Sequence, residues 1–261
     1  MIKRVIILGD SYTYGHGCSD RVYYYDENTK SFVGNIQLMY DGVPSEYCWA
    51  SLLQQKFPDL EVINLAMPGH SNQSMLRDLI SFYEKHTLLD TDLIIFNGSF
   101  HSRMEVAGIT SFEQCVSWTI GWDYMSPEST AHELQYPEYA KAKKSFVKYL
   151  LNDKIALQNS LAAMLAAHAF ATGFKLKYMW NYPEHAYTND AKFILRSIND
   201  TRNYSIVAYD FTEGKNHGTE KNLAPRNQEY YSPDFHVNDL GHKTYFEKEI
   251  LPRINKLLYE Q

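Results

Sequence analysis

Lys3-Arg4-Val5-Ile6-Ile7-Leu8-Gly9-Asp10-Ser11-Tyr12-Thr13-Tyr14-Gly15 decides how this chain is read. The apolar, β-branched run from Lys3 to Gly9 has the composition of a strand covered on both faces, as in a parallel sheet. It breaks into a Gly-Asp-Ser turn, which leaves Ser11 at the strand's exit. Outward from it, helix and strand patterns alternate. Residues 47–57 read as a helix ending before Pro58, 60–65 as a strand, 71–86 as a helix and 92–96 as a third strand. After a stretch without clear period, 141–171 reads as a long helix closed near Gly173, 174–180 as a fourth strand, 191–198 as a helix and 204–209 as a weaker fifth strand. The chain ends in a helical pattern over 240–259 that Pro252 bends or divides. Such alternation predicts one α/β domain over 1–261, a three-layer α/β/α sandwich around a mostly parallel five-stranded sheet.

Ligands of such sheets lie beyond the carboxyl ends of the strands, where the strand order switches. Gly9-Asp10-Ser11, Pro68-Gly69-His70 and Asn97-Gly98-Ser99 each follow a predicted strand directly, so all three are expected on one rim. Residues 98–140 interrupt the alternation and read as an insertion, a lid over that rim. Its Phe112, Trp118, Trp122 and Tyr124 suit either a sugar or acyl surface or ordinary packing.

The length of 261 residues, 44% hydrophobic and 21% charged, is that of a soluble globular protein. A net charge of −6 argues against a nucleic-acid partner, which needs a basic face. Cys18, Cys48 and Cys115 form no metal motif and suggest reduced thiols. The apolar start is too short for a signal peptide, so a cytoplasmic protein is expected, with no membrane span. His16, His70, His101, His236 and His242 gather near the motifs, but no pair has the i, i+4 spacing of a helical metal site. No metal and no cofactor are expected.

A serine hydroxyl becomes a nucleophile when a base accepts its proton and an acid orients that base. Near the other end stands Asp234-Phe235-His236-Val237-Asn238-Asp239-Leu240-Gly241-His242. With the Gly-Asp-Ser turn, this block resembles the SGNH (GDSL-type) hydrolase family, whose His-Pro-Asn-x-x-Gly-His pattern appears here with Val237 in place of proline. The acid stands two residues before the histidine, at Asp234, where the family more often has three. Asn64-Leu65-Ala66-Met67-Pro68-Gly69 is similar to the family's Asn-x-Ala-x-x-Gly block.

The resemblance implies a flavodoxin-like sheet and ester hydrolysis through an acyl-enzyme. Ser11 would be the nucleophile, His236 the base and Asp234 its orienting acid. Backbone N–H groups of Ser11 and Gly69 would hold the oxyanion, and Asp10, His70, Phe100 and Arg103 would line the site. The implied substrate is a small acyl ester, such as an O-acetylated sugar. The third oxyanion donor is where the sequence departs. Where the family has Gly-x-Asn-Asp, this chain has Asn97-Gly98-Ser99-Phe100-His101, with Phe100 in the asparagine's place. Ser99 is the first substitute and Asn97 the second. Ser99, Arg103 and Glu105 are also similar to SGNH-like proteins associated with phage genomes, and an Arg103–Glu105 ion pair is expected. The alternative is a non-catalytic SGNH scaffold, a carbohydrate-binding or virion-associated module.

Overall fold

The computed structural model describes residues 2–26, 28–39, 41–101, 103–107, 115–119, 153–181, 228–233 and 236–259. It also describes 141, 145 and 149 and the pairs 209–210 and 215–216. In chain order come β1 (Arg4–Leu8), α1 (Ser11–Tyr14), β2 (Tyr23–Asp26), β3 (Ser31–Gly34), α2 (Trp49–Lys56), β4 (Glu61–Asn64), α3 (Asn72–Lys85) and β5 (Asp92–Asn97). They are followed by β6 (Arg103–Ala107), β7 (Cys115–Thr119), α4 (Asp153–Gly173), β8 (Lys177–Asn181), α5 (Asp239–Tyr245) and α6 (Leu251–Tyr259).

Four strands form one parallel sheet in the order β4-β1-β5-β8. Ile6 sits between Ile63 and Ile94, and Ile94 pairs with Tyr178. From β1 the chain crosses to β4 on one side and then to β5 on the other, so the order reverses between β1 and β5. That reversal is the flavodoxin-like switch point. Ser11 follows one of its strands and Ser99 the other.

The strands alternate their side chains between two cores, as their period of two requires. Val5, Ile7, Leu93 and Ile95 face Trp49, Leu53, Tyr245, Ile250 and Ile254. Leu8, Ile94 and Phe96 face Met75, Leu79, Leu161 and Met164 on α3 and α4. Three layers result, and each fully buried large side chain contributes about 1.5–3 kcal/mol by leaving water.

The structure differs from the sequence reading at several places. Four parallel strands are described. The fifth, expected over 204–209, lies outside the described residues except Tyr209, which pairs antiparallel with Asn216. The fourth strand begins at Lys177, not 174, because Phe174 and Lys175 still turn off α4. Two antiparallel hairpins, β2–β3 and β6–β7, were not anticipated. The second falls inside the stretch read as an insertion. The helix expected over 191–198 lies outside the described residues. The terminal helical stretch is divided just before Pro252, into α5 ending at Tyr245 and α6 starting at Leu251. Between them lies a π-helical turn over Phe246–Ile250, closed by Leu251 N–H to Phe246 O.

Candidate active site

Ser11 opens α1, and the residue before it builds the turn. The Asp10 side chain accepts the Tyr12 N–H at 3.1 Å, the bond expected of a helix-capping carboxylate. The chain therefore leaves β1 and enters a helical turn within two residues, which presents Ser11 at the sheet's carboxyl rim. His236 Nε2 lies 3.1 Å from Ser11 Oγ, across 225 residues of sequence. Motifs at opposite ends of the chain meet at hydrogen-bond distance.

The segment carrying His236 is pinned from both sides. Ser232 donates its N–H and its hydroxyl to His236 O, at 2.8 and 3.0 Å. Tyr231 bridges Val237, and Asn238 N–H reaches Tyr230 O. Asn238 then caps α5 by accepting the Gly241 N–H at 3.1 Å. Two described rings flank that of His236. His16 stacks on it at a centroid distance of 3.9 Å and 19°, and Tyr12 lies at 4.9 Å. His16 is itself buried and lies 3.4 Å from Tyr23 O. Gly17, at φ +103°, permits this approach, because a Cβ there would stand 2.6 Å from His236 Cβ.

Asp234 lies outside the described residues. The nearby Asp239 takes its hydrogen bonds elsewhere, accepting Ser19 N–H at 2.9 Å and Ser19 Oγ at 2.7 Å. His242 sits inside α5 and caps α2. Its Nδ1 accepts the Trp49 N–H at 3.2 Å, which makes it an acceptor for one of the unpaired donors at that helix start. Complete burial pushes its pKa down to about 3.

Three other segments shape the rim. Met67 to His70 form a turn closed by His70 N–H to Met67 O, with Pro68 and then Gly69 at φ +80°. A Cβ on Gly69 would meet nothing within 4 Å, so this glycine borders open space. Asn64 ties the end of β4 to α1, donating to Thr13 O at 3.2 Å. His70 Nδ1 lies 3.1 Å from Asp78 Oδ2. Asn97 is turned into the sheet: its amide donates to Leu8 O and accepts from Asn181.

Ser99 is buried against Asp10. Its hydroxyl donates to Asp10 Oδ2 at 2.7 Å, and its N–H donates to Asn72 Oδ1. A hydroxyl has one proton to give, so the Ser99 donor is already engaged. Arg103 Nη1 reaches the same Asp10 Oδ2 at 2.6 Å. Arg103 thus pairs with Asp10; the ion pair expected with Glu105 falls on a side chain outside the described residues. The Arg103 guanidinium also stands 5.8 Å from the Phe100 ring centroid. Among the described residues no group of three or more His, Cys, Asp or Glu side chains is placed to hold a metal ion. No helix among them is long and apolar enough to cross a membrane.

No protein-family model and no curated protein matches the chain in sequence. Solved structures do match it in shape. The psychrotrophic esterase EstA from Pseudoalteromonas sp. aligns over 98% of each chain with a TM-score of 0.50 at 12% identity. A lipolytic protein of the G-D-S-L family from Veillonella parvula covers 99% and 98%, with a TM-score of 0.43 at 12% identity. Phospholipase A1 from Streptomyces albidoflavus covers 98% and 99%, with a TM-score of 0.43 at 14% identity. The chain has the SGNH-hydrolase fold. On that fold, sequence reasoning had singled out Ser11, His236, Gly69 and Arg103. It did not single out His16 or Tyr12 as partners of the His236 ring. The flanking glycines in Gly15-His16-Gly17 were the available signal, since they mark a place where backbones come close.

Proposed function

We propose that the protein is a serine ester hydrolase, and the 3.1 Å approach of His236 Nε2 to Ser11 Oγ carries the reading. Neutral His236, with its proton on Nδ1, accepts the Ser11 proton while Oγ bonds to the acyl carbon. The carbonyl π electrons move to oxygen, where the backbone N–H groups of Ser11 and Gly69 receive the charge. Collapse breaks the bond to the alcohol, which leaves with the proton from His236. Water then repeats the sequence on the acyl-enzyme and frees the acid. Asp234, two residues before His236, is the acid assigned to hold Nδ1–H. Following the resemblance, the substrate is a small acyl ester, with O-acetylated sugars the first class to assay.

Phe100, standing where a side-chain amide is expected, favours a second reading: an SGNH scaffold that binds an acylated carbohydrate without turnover. Incubation with a fluorophosphonate, followed by peptide mapping, separates the two. Covalent label on Ser11 together with acid release from a short-chain aryl ester supports the hydrolase. An unlabelled Ser11 without acid release supports the binding module.

A further inference from the structure

Arg103 carries an unmatched donor at the Ser11 turn. Its side chain is only 12% exposed, and its Nε is buried with no hydrogen-bond partner among the described residues. Buried guanidinium N–H groups ordinarily find acceptors, and an exception needs an explanation. Nη1 is bound to Asp10, the residue before Ser11, and Asp10 in turn caps the Tyr12 N–H. The guanidinium is thus fixed against the turn that presents the serine. The three-residue offset from Phe100 places it on β6, whose first residue it is.

We propose that Arg103 supplies the third oxyanion donor, taking the place of the side-chain amide that Phe100 displaces; this rests on the hydrolase reading above. When Ser11 Oγ adds to the acyl carbon and its proton passes to His236, the carbonyl oxygen becomes the anion. Arg103 Nε–H donates to that oxygen and releases it when the carbonyl reforms. Asp10 holds the guanidinium in place through Nη1, and Ser99 holds Asp10. Ser99 then acts through Asp10 and is a positioning residue. A charged donor suits this role better than a neutral one, because the charge it meets exists only after addition.

The test compares Arg103→Gln, Arg103→Lys and Ser99→Ala with the wild-type chain. Each is assayed for kcat and KM on a short-chain aryl ester, and for inhibition by an alkyl trifluoromethyl ketone, whose adduct on serine carries an oxyanion. Arg103→Gln is expected to lower kcat by about 10²–10³-fold, with KM within about threefold and inhibitor affinity falling in parallel with kcat. Arg103→Lys keeps the charge and the Asp10 contact, covers the case in which the glutamine variant misfolds, and should recover part of the loss. Ser99→Ala should lose less than about tenfold. The proposal is overturned if both Arg103 variants turn over at near the wild-type rate, if inhibitor affinity is unchanged while kcat falls, or if Ser99→Ala is the more damaged. Absence of fluorophosphonate label on wild-type Ser11 would instead overturn the hydrolase reading itself.

Discussion

Two arginine–aspartate pairs stand at opposite ends of the same sheet, and they are built differently. At the amino end, Arg4 grips Asp92 with Nε at 2.9 Å and Nη2 at 2.7 Å, and Nη2 also donates to Thr87 O. Asp92 accepts further from Tyr83 OH and Leu89 N–H, and the Arg4 guanidinium lies over Phe82. At the carboxyl end, Arg103 touches Asp10 through Nη1 alone and keeps a buried Nε–H unmatched. The first pair is closed upon itself: a bidentate fork with its neighbours satisfied, which fixes where β1 meets β5. The second is an open pair beside the candidate nucleophile. Burial and charge alone do not separate the two pairs; the unmatched Nε–H of Arg103 does.

The largest test of this division is Ser11→Ala. It should lower ester hydrolysis by at least about 10⁴-fold and abolish phosphonate label, with the melting temperature nearly unchanged. Label persisting at another serine would break the assignment of the carboxyl end as the chemical one. Asp234→Asn should follow, with kcat down by up to about 10⁴-fold in a folded protein; near-normal turnover would remove Asp234. At the other end, Arg4→Met leaves Asp92 buried without its counter-charge. It should cost about 3–5 kcal/mol in urea unfolding, while kcat of the folded fraction stays at the wild-type value. A kcat loss without destabilisation would erase the contrast between the ends.

The same division operates inside one short block, between His236 and His242. His242 is buried and its pKa is depressed to about 3, so the folded chain resists protonation that the unfolded chain accepts near 6.5. Its contribution is intact above pH 6.5 and is lost as pH falls toward 3, at about 1.4 kcal/mol per unit. His242→Gln should flatten that part of the pH–stability curve; an unchanged slope would show that other groups govern it. The smallest effect concerns the stack on His236. His16→Ala should lower kcat by about 2–10-fold, the worth of one ring contact, and His16→Phe should recover most of it. Equal activity in all three would assign the stack no role.

Much of the fold was legible because it rests on local rules. The buried strands announce themselves as β-branched runs, α2 and α3 fall within two residues of their predicted positions, and α4 ends within two residues of its own. The site was legible where backbone placement decides it, as at Ser11 and at the turn of Pro68 and Gly69. It was opaque where one side chain chooses among partners. Arg103 reaches Asp10 across 93 residues of sequence, a partner that no local spacing points to. Ser99 looked like a free donor until Asp10 was seen to accept its proton. His242 caps a helix 193 residues earlier in the chain, which no spacing rule anticipates. The β2–β3 hairpin was missed because neither Tyr23-Tyr24-Tyr25-Asp26 nor Ser31-Phe32-Val33-Gly34 alternates apolar and polar residues.

The close fit of Gly17 against His236 has a consequence for how the protein comes into being. Chains are synthesised from the amino end, so the serine turn emerges long before the segment that must settle on it. A contact spanning 225 residues forms only after that later segment has docked. Until then Ser11 stands at its turn without His236 beside it. The pairing of Ser11 with His236 therefore reports on late docking, and its formation during refolding times the arrival of the segment that carries His236.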